Sequence, residues 1–468
     1  MFQKHSHQLF SKHYPLIAVL LGFFLIAISM GPYETLDTEL EYNTTRGVLR
    51  WGFPYLDRHG EPYTDSYGDL FNIPPLGFYT QALIFKLFGE NLTNGVFLVT
   101  IFGLGIAVMI YKLGKLFYNE SAGIFAAAFF ALTPWALILT RALLVDTQCL
   151  LLSLIYLYIG ILAIKNNSVK LALISGIFFG ASFLTKQYAV FMLIPLLFFY
   201  ILHRPKNFKT ICYQVVLFCL PVLIFSLLWY QLIIGQDLFY LLQHNDFKDY
   251  NFPNVIPTYS FVPYFLVNYG LGLFFCVAVV LSLFITVFFW KRLPRDSIFS
   301  DLVCIVTILF MVGLVLYLAV NLNLKAPYTS SIKYLYHSLP FFSLLAGSLI
   351  IKSKILLETA KKAVHGINHV LCCLGLAALI LLIFTVFSNM ITIRELTQFS
   401  YLIFRVQPGL DVGYSFYVNT SMNGSVVLLI IQIVGFLLIL SVLLLISQKS
   451  VSCFYRETKK KTDNALLE

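Results

Sequence analysis

The segment Arg141-Ala-Leu-Leu-Val-Asp146 joins two apolar runs, Ala122–Thr140 and Thr147–Ala163. Each run is about as long as a helix must be to cross a hydrocarbon layer, near 20 residues. So short a link sends the second run back beside the first, which makes the pair a helical hairpin. The link carries a cation at one end and a carboxylate at the other. Charge at a membrane boundary costs little, but it rarely lacks a purpose. Two further charged places fall on the same side: the acidic cluster Glu34, Asp37, Glu39 and Glu41, and Lys186 between two later runs. Charges converging on one face point to a site for a polar, anionic substrate.

Working outward, hydrophobic residues make up 59% of the 468 and charged residues 12%. A soluble domain carries about 25% charged residues, so much of the apolar surface here must face lipid. The apolar runs are continuous and do not alternate, which excludes a membrane β-barrel. The fold class expected is therefore an all-α polytopic membrane protein with about 12 transmembrane helices. The spans fall near 14–31, 92–111, 121–140, 146–164, 169–185, 187–202, 211–234, 263–289, 299–320, 334–351, 369–388 and 425–447. No hydrophilic stretch is long enough for a separate domain, so residues 1–468 form one integral-membrane unit.

With the N-terminus in the cytoplasm, most of the 32 Lys and Arg fall on the cytoplasmic side and most of the 22 acids on the other. That is the asymmetry of the positive-inside rule. Both termini are then cytoplasmic. The net charge of +10 sits in short loops, which argues against a nucleic-acid partner. No small-residue cleavage site follows the first run, so it reads as a retained span. The long loops 32–91, 235–262, 321–333 and 389–424 all lie outside, where function is expected. Within the first of them, Pro75–Phe88 is too short to span and is interrupted by Gln81 and Lys86. It reads as an amphipathic interfacial helix, with a re-entrant piece as the alternative. Gly176-xxx-Gly180 permits close helix packing.

Each candidate group has a bland reading beside the chemical one. Asp37, just after the first span, can serve as a general base, or it is a solvated loop acid. Arg141 and Lys186 can hold a phosphate, or they snorkel to the headgroups. Asp146 can be no more than a charge facing a helix dipole. His337 opens the tenth span and can be an interior histidine. Their common side favours the chemical readings. The eight cysteines lie mostly inside apolar runs and read as small buried side chains. Asn43, Asn91, Asn419 and Asn423 begin outer N-x-Ser/Thr triplets, which lend slight support to glycosylation there. There is no Walker loop, HExxH or Gly-x-Ser-x-Gly elbow.

At this point the chain resembles the polytopic glycosyltransferases of the protein O-mannosyltransferase and lipid A aminoarabinose transferase type, which use polyprenyl-phosphate sugars. Asp37 stands where that family has its aspartate after the first span. Arg46 and Leu49 match the helix that follows, and Gly60-Glu-Pro-Tyr63 the loop after it. Asn72-Ile-Pro-Pro-Leu-Gly-Phe-Tyr79 matches the family's Lys/His-Pro-Pro element. Arg141-x4-Asp146 matches the second-loop motif, Gly180-Ala-Ser-Phe-Leu-Thr-Lys186 the Leu-Thr-Lys segment, and Lys333-Tyr-Leu-Tyr-His-Ser-Leu-Pro340 the Arg-Tyr-Leu-x3-Leu-Pro segment. The chain departs from the pattern at Thr38 (for a second acid), Ile73 (for a cation) and Lys333 (for Arg).

The resemblance implies a GT-C-like fold and a glycosyltransferase that moves a sugar from a polyprenyl-phosphate donor to an acceptor hydroxyl by inverting displacement on the extracytoplasmic face. The acceptor is a protein, a lipid or a glycan. Asp37 is the expected base and Asp146 its catalytic companion, orienting the acceptor or locking Arg141. Glu39, Arg46, Arg141, Lys186, Lys333, Tyr79 and His337 are the expected substrate-binding residues. No cofactor is required. A divalent metal beside Asp37 and Glu39 stays open. The alternative class is a transporter or flippase for a lipid-linked or anionic solute, disfavoured because the spans carry almost no charge at mid-depth. The lack of a soluble domain and of an endoplasmic-reticulum retrieval signal favours a prokaryotic cell membrane.

Overall fold

Pro134 breaks the first of the two apolar runs. A proline inside a helix removes a hydrogen bond and clashes with the preceding turn, but it is well placed as a first helical residue. A computed structural model describes residues 2–33, 36–58, 60–63, 74–203, 208–229, 271–321, 333–363 and 430–446. In it, one helix ends at Leu132 and a short one restarts at Pro134, so the expected span 121–140 is two pieces.

Among the described residues the chain is helical apart from one small hairpin. Helices α1 (Phe2–Ser29) and α2 (Leu36–Trp51) precede strands β1 (Leu56–Arg58) and β2 (Glu61–Tyr63), which pair antiparallel with Asp57 opposite Pro62. Then come α3 (Leu76–Phe88), α4 (Leu92–Phe117), α5 (Glu120–Leu132), α6 (Pro134–Leu139), α7 (Val145–Lys165) and α8 (Val169–Phe183). A 3-10 turn, Gln187–Met192, leads into α9 (Leu193–His203), followed by α10 (Phe208–Ser226), α11 (Leu273–Phe289) and α12 (Arg295–Asn321). A short 3-10 turn, Trp290–Arg292, follows α11, and a second 3-10 turn of six residues, Lys333–Ser338, leads into α13 (Leu339–Ala363). The last described helix, α14, is Ile430–Ile446.

Six helices among the described residues are long and apolar enough to cross a membrane: Leu92–Phe117, Val145–Lys165, Lys209–Trp229, Phe275–Arg292, Arg295–Leu314 and Leu335–Ser353. The protein is an integral membrane protein on this composition. Shorter apolar helices cover Tyr14–Ser29, Glu120–Leu132, Val169–Phe183, Gln187–His203 and Ile430–Ile446, where the sequence also predicts spans. The predicted span 369–388 and the outer loops 235–262 and 389–424 lie outside the described residues.

The core is built on α5, whose residues from Ala122 to Leu132 are all buried. Its alanines let neighbouring helices approach closely, and α4, α7 and α13 enclose the same cluster. Gly176 and Gly180 of α8 do what their spacing predicts: a side chain at either would strike Phe218 or Phe225 of the α10 segment. The bundle's exterior stays apolar, with Val216, Leu223, Val280 and Leu309 exposed. Helix α3 buries Phe78, Ala82 and Phe85 and exposes the stripe Tyr79, Leu83 and Leu87, one helical turn apart.

At the bundle end opposite the Arg141–Asp146 link, Asp301 and Lys352 form a fully buried ion pair at 2.9 Å. The carboxylate also accepts the Tyr118 and Thr286 hydroxyls, each at 2.8 Å. Lys352 Nζ donates to Ser282 Oγ at 2.7 Å. The linear sequence assigns Lys352 to a cytoplasmic loop; packing turns it inward, where four elements share the pair. Breaking a buried pair on one side leaves an uncompensated charge, which costs about 3–5 kcal/mol, whereas an apolar pair in its place is often neutral. Lys352→Met is therefore expected to lower unfolding stability in detergent by that amount. Adding Asp301→Leu is expected to recover most of it, as thermal or denaturant unfolding will show.

Candidate active site

The site forms where α7 begins. Its N-cap residue, Leu144, has no side chain to cap the first free amides. The Glu41 carboxylate of α2 takes that place and accepts the Val145 N–H at 2.6 Å. The next residue, Asp146, sits in the first helical turn, where the dipole favours a negative charge. It pairs with Lys186 Nζ at 2.6 Å, and the two side chains are only 3% and 7% exposed.

Lys186 is held by the turn that ends α8. Its N–H donates to the Ser182 carbonyl at 2.9 Å, after which the backbone becomes extended and enters the 3-10 turn. Its ammonium lies 5.0 Å from the Tyr188 ring centre. His337 reaches the same place from the second 3-10 turn, wholly buried, with Nε2 3.8 Å from Cys149 Sγ and its ring edge-on to Tyr188. Its Nδ1 has no partner among the described residues. Cys149 also faces the Lys186 carbonyl at 3.6 Å. Three chain segments distant in sequence thus deliver Asp146, Lys186 and His337 to one buried cluster.

Close backbone packing seats this cluster against α3. The Leu76 N–H donates to the Leu184 carbonyl at 2.9 Å, two residues before Lys186. Gly77 lies so near Val145 that a side chain there would strike it, and Thr185 lies alongside in contact. Gln148 Nε2 donates to Thr80 Oγ1 at 3.1 Å.

Arg141 does not pair with Asp146. It is fully buried, with Nε on the Leu137 carbonyl at 3.0 Å and Nη1 on the Met30 and Gly31 carbonyls at 3.2 Å. The guanidinium lies 5.8 Å from the centre of the Tyr33 ring, and the Tyr33 N–H returns to the Arg141 carbonyl at 2.9 Å. Burial pulls its pKa down to about 10, with Tyr33 opposing the shift, so Arg141 remains a cation at neutral pH. Burial raises the Tyr33 hydroxyl pKa, while Arg141 opposes that rise. Nη2 has no partner among the described residues. Arg141 thus fastens the exit of α1, just ahead of the helix that bears Asp37.

Asp37 is the second residue of α2, and its side chain lies outside the described residues. The same holds for the side chain of Lys333, which opens the second 3-10 turn. Glu39 is exposed. Arg46 pairs with Glu90 at 2.5 Å and with Asp57 at 3.3 Å, in a network completed by Arg50. Tyr79 donates its hydroxyl to the Gly52 carbonyl at 2.9 Å. Among the described residues no group of three His, Cys, Asp or Glu could hold a metal ion.

Two residues of the cluster carry no role of their own in the linear sequence: Cys149, which reads as a bland apolar position, and Glu41, which stands there only as a member of the acidic cluster. A signal for Glu41 does exist. Thr38, Glu41, Thr44, Thr45 and Val48 recur at helical spacing, and all are buried. A mostly polar stripe on the buried face of a helix marks a surface that must meet polar partners.

Residues 72–229 match the family model described as dolichyl-phosphate-mannose-protein mannosyltransferase, a segment that holds Arg141, Asp146 and Lys186. A search of curated proteins gives no match to the chain. Among solved structures, ArnT from Cupriavidus metallidurans bound to undecaprenyl phosphate superposes with a TM-score of 0.55 at 13% identity, covering 94% of this chain and 78% of ArnT. The apo form of the same enzyme gives 0.54 at 14% identity, covering 93% and 76%. Fold and matched segment together show this chain to resemble the GT-C membrane glycosyltransferases of the protein-mannosyltransferase type.

Proposed function

We propose that the protein transfers a sugar from a polyprenyl-phosphate donor to an acceptor hydroxyl at the extracytoplasmic membrane surface. The observation that carries this reading is the buried Asp146–Lys186 pair with His337 beside it, inside the fold and largely inside the segment that resemble such enzymes. The solved ArnT structure holds undecaprenyl phosphate, which makes a polyprenyl phosphate the first carrier to test.

In the proposed reaction, Asp37 takes the proton from the acceptor hydroxyl. The freed oxygen attacks the anomeric carbon, and the bond from that carbon to the phosphate oxygen breaks. The electron pair leaves with the polyprenyl phosphate, and a single displacement inverts the anomeric centre. General-base help of this kind contributes about 10²–10⁴ in rate. Lys186 meets the charge that grows on the leaving phosphate, an interaction that strengthens in the transition state. Asp146 compensates and fixes the Lys186 ammonium while no donor is bound, since an unpaired buried cation is costly. Lys333 binds the phosphate from the second 3-10 turn. Arg141 adds positive charge, with Nη2 as its remaining donor group. His337 offers Nδ1 to the sugar or phosphate. Glu39 at the start of α2, Arg46 further along it and Tyr79 in the first turn of α3 belong to the acceptor side.

The test is to incubate purified protein with a labelled polyprenyl-phosphate sugar and hydroxyl acceptors of protein, lipid and glycan type. Loss of label from the donor, with an inverted product, is the expected result. If the donor survives intact with every acceptor and instead changes leaflet in reconstituted vesicles, the protein is a flippase and the proposal is lost.

A further inference from the structure

The geometry points to Glu41 as a positioning residue for the transfer reaction, an inference that rests on the function proposed above. Glu41 stands one helical turn after Asp37 on α2. It is 5% exposed, and its carboxylate receives the Val145 N–H at 2.6 Å. Val145 opens α7, and its neighbour Asp146 holds Lys186. One buried side chain thus bridges the helix of the proposed base and the helix of the proposed phosphate cluster.

The bridge is specific in chemistry as well as in place. A carboxylate at the amino end of a long helix is stabilised by the unsatisfied amides and by the helix dipole. Leu144 supplies no cap of its own, so the interaction is the α7 cap, delivered from another helix. Neighbouring contacts hold α2 in the same register. Thr45, one turn further on, meets Gln81 of α3 at 2.7 Å, and Val48 packs with Phe78, Ala82 and Val145. Without the carboxylate, apolar contact still joins α2 to α7, but the polar bond that fixes the height of Val145 against α2 is lost. A displacement of about 1 Å in a reacting group can cost on the order of 10²-fold in rate.

Two variants separate positioning from chemistry. Glu41→Ala removes the cap. Glu41→Gln keeps an oxygen that accepts the Val145 N–H but cannot exchange a proton. The expected results are a kcat lowered on the order of 10²-fold in Glu41→Ala with the donor KM unchanged, and a Glu41→Gln enzyme close to wild type. Hydrogen exchange supplies a readout independent of activity: amides at 36–51 and 145–150 should exchange faster in Glu41→Ala and at the wild-type rate in Glu41→Gln. Equal loss of kcat in both variants would make Glu41 a proton carrier and overturn the proposal. Unchanged exchange in Glu41→Ala would overturn it too, because the two helices would then not depend on this contact. A wild-type protein that transfers no sugar defeats the function proposed above, while the exchange measurement still decides whether Glu41 joins the two helices.

Discussion

Lys186→Met is expected to cost about 3–5 kcal/mol of stability and to lower transfer by about 10²–10³-fold. The stability loss comes from Asp146, whose carboxylate is 3% exposed and would stay buried with its cation gone. The rate loss has a different source, the missing charge opposite the leaving phosphate. Because the causes differ, a second substitution separates them. Asp146→Leu added to Lys186→Met replaces the ion pair with an apolar pair, which is often neutral for folding. Thermal unfolding in detergent should return towards wild type, while the transfer rate, measured per folded molecule, should stay low. A double variant that regains both would reduce the pair to a structural element and remove Lys186 from phosphate binding. Donor dependence gives a further check: Lys186 variants should lose donor use more than acceptor use, and the opposite pattern would refute the phosphate role.

Asp37→Asn is expected to leave the protein folded and inserted and to lower transfer by about 10²–10⁴-fold. Asparagine keeps the size of the side chain and an accepting oxygen but cannot take a proton from the acceptor. Donor binding, followed by equilibrium titration with the polyprenyl phosphate alone, should be unchanged. A variant with near-normal rate would take Asp37 out of the mechanism and leave the site without its proton acceptor.

Much of the scaffold was legible because lipid imposes one-dimensional rules. Continuous apolar runs, Lys and Arg bias and short polar links are local properties, and they placed α4, α7, α8 and α12 close to where they lie. Boundaries failed where backbone chemistry intervened. Pro134 divided one expected span, and the 3-10 turns Gln187–Met192 and Lys333–Ser338 took the place of the α-helical start of two others.

The candidate site divides in the same way. Composition and spacing alone determined that the protein is a helical membrane protein, and that Asp37, Arg141, Asp146 and Lys186 occupy the ends of neighbouring apolar runs, because hydrophobic length and charge cost at a membrane boundary depend on sequence alone. Partner choice belonged to the tertiary structure. Only packing showed that Asp146 takes Lys186 and leaves Arg141 to the carbonyls of Met30 and Gly31. Only packing brought His337 beside Cys149, capped α7 with Glu41, and buried Lys352 against Asp301. A buried charge must be satisfied by whatever group the fold brings within a few ångströms, and that group is set by contacts between helices far apart in the chain.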